Sequence, residues 1–305
     1  MSARYCVVGS INMDLVAKVD RFPKPGETRT GSAFGTYPGG KGANQAVALG
    51  RLGAAVTMAG KIGGDVFGSS YQETFDSEGV NRTIVEVVDD LSTGVAVIEV
   101  DESGENHIVI VPGANGEMDR EYIERNIETI AEADYILFQL EIPLHTIQHT
   151  LSLLKDRKGT TILDPAPAPK KPLPKELLGN VDLITPNESE AESLTGIAVQ
   201  DEGSARKAAH ELMRQGASRV IIKAGSAGAY VVEGERVLTV DGFSVDVADT
   251  TAAGDAFNAG LAYALGEGSS LGEAVRYGNA VGAMSCTGFG AQSAMPRAED
   301  VRKLL

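Results

Sequence analysis

Short, almost uniformly apolar runs alternate with helix-length amphipathic stretches from one end of this chain to the other, and that alternation narrows the fold more than any other feature. "CVVG", "YILFQL", "TTILD", "VDLIT" and "RVIIK" are apolar at nearly every position, as strands covered on both faces must be. Between them lie "KGANQAVALGRLG", "LHTIQHTLSLLKDRKG" and "DEGSARKAAHELMRQG", helix candidates that each close on Gly, a usual helix stop. Strand-helix alternation over 305 residues fits one large domain, residues 1–305, of the α/β class: a three-layer α/β/α stack around a mostly parallel central sheet.

Two regions depart from the pattern. Residues 14–37 and 92–112 carry "DLVAKVD", "TGVAVIEVD" and "ENHIVIV", segments that alternate with period two and have no helix between them. Such alternation suggests antiparallel strands with one face toward solvent or a partner. These segments are expected to form a small β-sheet lid beside the main domain, with "DESGEN" as a hairpin turn. "DPAPAPKKPLP" reads as a rigid loop.

Composition excludes several partners. A net charge of -15 argues against nucleic acid and against an anionic membrane surface, although a local pocket can still be positive enough for ATP. Cys6 and Cys286 are the only cysteines, too few for a disulfide framework or a Cys-rich zinc site, and both read as small core residues. His145 and His149 in "HTIQH" lack the Glu of a zinc-binding H-E-x-x-H helix. No signal-peptide pattern opens the chain and no apolar run approaches the ~18 residues of a membrane span, so a soluble cytoplasmic protein is expected.

In open α/β sheets ligands bind beyond the carboxyl ends of the strands, and the residues there are polar. Asn12 and Asp14 follow the first strand, Glu141 follows "YILFQL", Asp164 follows "TTIL" and Asn187 follows "VDLITP", while Lys223 ends "RVIIK" with Gly225 and Gly228 just beyond. Together they outline a crevice suited to a small molecule. "DTTAAGDAFNAGLAYALG" reads as a buried helix whose start, Ala253-Gly254-Asp255, is built of small residues. Unpaired amides there can receive an anion. Asp255 is either a dipole-stabilising acid or a base beside an anion site, which is what phosphoryl transfer to an alcohol requires. Asn187 and Glu190 are either a capping box or neighbours of hydrated Mg²⁺ on ATP phosphates. Gly35-x-x-x-x-Gly40-Lys41 imitates a Walker A loop but continues with Gly42 where Ser or Thr should stand.

With those residues in place, the chain resembles the ribokinase family of PfkB-type carbohydrate kinases over essentially its whole length. The signatures are "GGKGANQA" (residues 39–46) and "DTTAAGDAFNAG" (249–260), supported in order by "GSINMD", "QLEIP", "TPNESE" and "KAGSAG". The resemblance implies a ribokinase-like fold and ATP-dependent phosphorylation of a sugar hydroxyl, with the 5-hydroxyl of D-ribose the expected acceptor. It implies that Gly39, Gly40, Lys41 and Asn44 hold sugar rather than nucleotide, which makes the Walker A match accidental, and that Asn12, Asp14 and Glu141 bind sugar hydroxyls. Asp255 becomes the base and the Ala252, Ala253 and Gly254 amides the anion hole. Asn187 and Glu190 fall to the Mg²⁺–phosphate region, and Lys223, Gly225, Ser226, Gly228, Gly254 and Asn279 to the nucleotide. A monovalent cation, K⁺, is implied between Asp249 and Thr251 on one loop and Ser285, Gly288, Gly290 and Ser293 on another. A homodimer through the lid is implied as well. Two positions depart from the family pattern: Ala252 stands where Gly is frequent at the anion hole, and Ala294 where a Ser is usual near the cation.

Other acceptors, such as 2-deoxyribose, fructose, 2-keto-3-deoxygluconate or a nucleoside, are the nearest alternatives. A catalytically silent sugar-binding protein on the same fold would need neither Asp255 nor the Ala253-Gly254 turn. A nicotinamide-dependent dehydrogenase is excluded because "VVGSINMD" lacks G-x-G-x-x-G after the first strand.

Overall fold

The computed structural model describes residues 2–169 and 171–305; Met1 and Lys170, the latter inside the expected rigid loop, lie outside the described residues. The strands are β1 (Arg4–Val8), β2 (Asn12–Lys18), β3 (Ala33–Gly39), β4 (Ala55–Gly63), β5 (Asn81–Val88), β6 (Gly94–Val100), β7 (Asn106–Val111), β8 (Tyr135–Phe138), β9 (Thr160–Leu163), β10 (Leu183–Ile184), β11 (Val220–Lys223), β12 (Ala229–Glu233) and β13 (Arg236–Val240). The helices are α1 (Lys41–Arg51), α2 (Val66–Ser77), α3 (Arg120–Ala131), α4 (Leu144–Leu154), α5 (Lys175–Gly179), α6 (Glu188–Thr195), α7 (Glu202–Gln215), α8 (Ala253–Gly266), α9 (Leu271–Ser285) and α10 (Ala298–Leu304).

Nine strands form the central sheet in the order β13-β12-β11-β10-β9-β8-β1-β4-β5. Every pair from β11 to β5 is parallel, and only the β11-β12-β13 edge is antiparallel. The apolar runs are continuous because the sheet has a core on each side. In β1, Tyr5 and Val7 join the core under α1, α2, α8 and α9, while Cys6 and Val8 join the one under α3, α4 and α7. No helix among the described residues is long and apolar enough to cross a membrane.

The chain order reverses between β1 and β8, which are neighbours although far apart in sequence. That is the switch point at which an open α/β sheet leaves a crevice. A second sheet, β3-β2-β6-β7, covers this end. It occupies the expected segments, with one correction: β2 and β6 pair in parallel, while only β2–β3 and β6–β7 are antiparallel. All of β7 is exposed on both faces, so its alternation marks no single wet face. α4 is a further correction, since it ends at Leu154, five residues before the Gly159 expected to stop it.

Candidate active site

β1 and β8 deliver their loops side by side. The Ser10 hydroxyl donates to Glu141 Oε2 at 2.5 Å and the Lys41 amide donates to the same oxygen at 3.0 Å, with Asn12 Nδ2 at 3.5 Å. Asn115 fixes Asn12 from behind: its Nδ2 donates to Asn12 Oδ1 at 2.8 Å, and its Oδ1 accepts from the Ile11 amide at 2.9 Å. Two glycines allow this crowding. Gly40 has φ +84°, and a Cβ there would lie 2.6 Å from the Asn12 nitrogen. A Cβ on Gly39 would lie 2.3 Å from Asp14 Oδ2. Burial, then the nearby Glu141 and Asp255 carboxylates, pushes Asp14 up to about 7 despite Lys41. Burial of Lys41 works to lower it, but Asp255, Asp164, Glu141 and Glu190 outweigh burial and hold its ammonium firmly charged.

Asp255 sits in the first turn of α8 with 3% of its surface exposed. Its Oδ2 accepts from Asn44 Nδ2 at 3.0 Å and its Oδ1 from Gln45 Nε2 at 3.1 Å. Burial raises it to about 6; Asp164 adds to this, while Lys41, Asn44 and Gln45 oppose it. A carboxyl poised there is ionised at neutral pH yet basic enough to take a proton. The α8 N-cap, Ala252, is left-handed with φ 61° and makes no side-chain cap hydrogen bond. Of the three amides expected to form an anion hole, that of Ala253 donates instead to the Thr250 carbonyl at 3.2 Å. Those of Ala252 and Gly254 have no backbone acceptor among the described residues.

A cleft of about 510 Å³ opens from Asp255 along the carboxyl ends of β9 to β11. It is lined by Lys41, Asp164, Asn187, Glu190, Lys223, Gly225, Ser226, Gly228, the Ala252–Asp255 turn and Asn279, so the structure brings every residue expected on the nucleotide side to one surface. Lys223 Nζ meets Asp164 Oδ1 at 2.8 Å. The capping box of Asn187 and Glu190 is present: each side chain accepts from the other's backbone amide at 2.8 Å. The same two residues face the cleft, so the cap and the phosphate-side reading are compatible. Burial raises the Glu190 carboxyl, with Lys223 opposing and Asp164 adding. Asn279 spends its amide on the Val240 and Asp241 carbonyls, both at 3.1 Å, and so braces the cleft wall. Cys6 is a core residue as expected, but Cys286 is half-buried at the cleft.

The two loops expected to flank a cation are joined. The Ala248 and Asp249 amides donate to the Cys286 carbonyl at 2.8 and 3.2 Å, and the Gly290 amide to Asp249 Oδ2 at 2.9 Å. Burial works against the Asp249 charge, but donors from Thr251 and Gly290 outweigh it and hold the carboxyl below its usual range. The hydroxyls of Ser285 and Ser293 donate to the Gly282 and Phe289 carbonyls, which leaves their oxygen lone pairs unspent. Gly288 lies on the same turn, against Ala294.

Sequence reasoning missed the residues that orient others. Gln45, Gln292 and Asn115 are buried amides with side-chain partners far away in the chain. Their only sequence signal is a polar residue on an otherwise apolar face, as at Asn44-Gln45 within buried α1. Phe243, Val245 and Val247, which form an apolar wall of the cleft, were also missed.

With this geometry in view, similarity to known proteins is specific. The pfkB family carbohydrate kinase model matches residues 2–298. The chain is 43% identical to a ribokinase of Haemophilus influenzae over 299 residues, covering 98% of this chain and 97% of that protein. It is 36% identical to a deoxyribokinase of Salmonella typhi, covering 98% and 97%. The structure of Arabidopsis thaliana ribokinase complexed with ribose and ATP superposes with a TM-score of 0.94 at 33% identity, covering 100% of this chain and 99% of that one. The chain belongs to the pfkB family of carbohydrate kinases, and its fold is that of the ribokinases.

Proposed function

We propose that the protein is an ATP-dependent ribokinase that transfers the γ-phosphoryl group to the 5-hydroxyl of D-ribose. The observation that carries this reading is the buried Asp255 at the start of α8, between a hydroxyl-reading cluster and the cleft. On one side lie Asn12, Asp14, Asn44 and Glu141, polar groups that donate to and accept from hydroxyls, around the Gly39–Lys41 turn. On the other lies a cleft with Lys41 and Lys223 as its cations.

In the reaction, Asp255 takes the proton of the 5-hydroxyl while that oxygen forms a bond to the γ-phosphorus. The bond from the γ-phosphorus to the β,γ-bridging oxygen breaks, and ADP leaves with that electron pair. The free Ala252 and Gly254 amides and the positive end of α8 face the charge on the transferring group. Lys41 neutralises further charge beside the carboxylates.

The residues present fit Mg²⁺ only in a hydrated, phosphate-held form. Among the described residues no group of three or more Asp, Glu, His or Cys could hold a metal ion, and Glu190 spends its oxygens on Asn187. Asn187 and Glu190 would therefore act through water, and bound Mg²⁺ supplies charge neutralisation on the phosphates. The Asp249 carboxylate, tied to the 285–294 turn through the Gly290 amide, would hold K⁺ together with carbonyl oxygens of that turn, and the ion would order the approach to Ala252. The four-stranded sheet acts as a lid over the sugar. Phe34 is 71% exposed on it and Val109 62%, an apolar surface that a second copy would cover in a homodimer. Two free cysteines suit a reducing cytoplasm.

The test is coupled ADP detection across a sugar panel. Ribose should give the highest kcat/KM, above 2-deoxyribose, fructose, 2-keto-3-deoxygluconate and nucleosides. Preference for any of these would replace ribose, and ADP release with no acceptor preference would remove the sugar kinase reading.

A further inference from the structure

We propose that Gln45 is a positioning residue that sets the Asp255 carboxylate for the incoming hydroxyl and ties it to the Asp164–Lys223 pair on the nucleotide side. The inference rests on Asp255 being the base. α1 is otherwise apolar where it is buried beneath Asp255: Ala43, Ala46, Val47, Ala48 and Leu49 surround Asn44 and Gln45. Gln45 is completely buried, and each polar atom has a partner. Nε2 donates to Asp255 Oδ1 at 3.1 Å and to Asp164 Oδ2 at 3.3 Å, while Oε1 accepts from Gln139 Nε2 at 2.7 Å.

The amide can stand between two carboxylates only with its nitrogen toward them, since a carbonyl there would repel both. Gln139, at the end of β8, fixes that orientation by donating to Oε1. Asn44 takes the other Asp255 oxygen at 3.0 Å. The carboxylate is thus held at both oxygens and cannot rotate, and its remaining lone pairs are left for substrate. Asp164 in turn accepts from Lys223 at 2.8 Å. The base is thereby joined through one side chain to a cation at the phosphate cleft. Apart from these amides, the charged groups facing Asp255 are Lys41 from α1, Asp164 from the end of β9 and Asp14 from β2.

A residue that only filled space could be replaced by Gln45→Met, which keeps length and removes the donor. Losing a charge-assisted donor should move the Asp255 limb of the kcat/KM–pH profile upward by about one pH unit. On the alkaline plateau kcat should fall ten- to hundredfold through loss of alignment, with the KM for ATP within about threefold of wild type. Gln139→Met, which leaves Gln45 Oε1 without its buried donor and so loosens the amide, should shift the limb in the same direction by less. A folded Gln45→Met enzyme with its limb and plateau unmoved overturns the proposal. If that variant does not fold, Gln139→Met decides alone, and an unmoved limb overturns it. Asp255→Asn separates the two readings: if it keeps wild-type kcat the base assignment fails, whereas a dead Asp255→Asn with an unmoved Gln45→Met removes only the positioning role.

Discussion

Replacing Asp255 by Asn should separate catalysis from stability. In the fold the carboxyl is held at about 6, against 3.8 as its reference value. A carboxyl raised in this way favours the folded state in acid: the contribution is complete below about pH 3.8 and is lost as pH rises through about 6. Between those limits the difference amounts to about 3 kcal/mol, so ionised Asp255 burdens the native state at pH 7.5 by that order. The amide removes the charge but offers one acceptor where the carboxylate serves both Asn44 and Gln45. A buried donor left facing another donor costs about 1–3 kcal/mol. The two effects nearly cancel, so the melting free energy of Asp255→Asn should stay within about 2 kcal/mol of wild type. Meanwhile kcat should fall by roughly 10²–10⁴, as for loss of a general base. Wild-type kcat/KM, measured by coupled ADP release from pH 5 to 9, should fall in acid with one proton near Asp14 at about 7 and a second near Asp255 at about 6. The two titrate as a coupled set, and Asp14→Asn should leave a single limb near the lower value. A variant Asp255→Asn within tenfold of wild-type kcat, or a flat wild-type profile down to pH 5, would refute the reasoning.

Gly40→Ala places a Cβ 2.6 Å from the Asn12 nitrogen at φ +84°; it should lose at least about 2 kcal/mol in chemical denaturation and raise the sugar KM, and a normal melt with normal KM would contradict the packing. Ala252→Gly relieves the left-handed Ala, worth about 1–2 kcal/mol, less the entropy of Gly, about 0.5–1 kcal/mol. It should stabilise slightly and leave kcat within about threefold, because the amide remains; a larger loss of kcat would mean the methyl group matters to the site. K⁺ should raise kcat over Na⁺ or choline at fixed ionic strength, and the effect should vanish in Asp249→Ala; equal rates in all three salts would dismiss the cation. Val95 packs on the core while Val97 is exposed, so wild type should sediment as a dimer and Val97→Asp as a monomer, and a monomeric wild type at micromolar concentration would rule the lid interface out.

Most of the fold was legible because parallel strands with a core on each face must be apolar at successive positions, as Tyr5 to Val8 are. The lid was legible as separate strands but not in its pairing. Period-two alternation states which residues share a face; it carries nothing about direction, and β2 can reach β6 in parallel because β3, α1, β4, α2 and β5 all intervene. α4 shows a similar limit: a distant Gly ends the connecting turn, while the helix itself stops earlier at Leu154.

At the site, residues expected to face a ligand were legible and those that hold them in place were not. Asn12, Glu141 and Asn187 lie a few residues past the carboxyl ends of β1, β8 and β10, and Lys223 closes β11, so their position follows from the chain's own periodicity. Gln45, Asn115 and Gln292 act on partners about 100 to 250 positions away, a relation that exists only once the sheet has formed. The same reason explains the accidental Walker A match. Gly40 is a glycine because the Asn12 backbone lies against it, and Lys41 is charged because four carboxylates surround it. The Asn12 backbone and Glu141 lie on one side of this turn and Asp164 and Glu190 line the cleft on the other, so Lys41 stands between the two. A Cβ at residue 42 would lie 2.6 Å from the Ser10 nitrogen, so the Ser or Thr of a phosphate loop has no room.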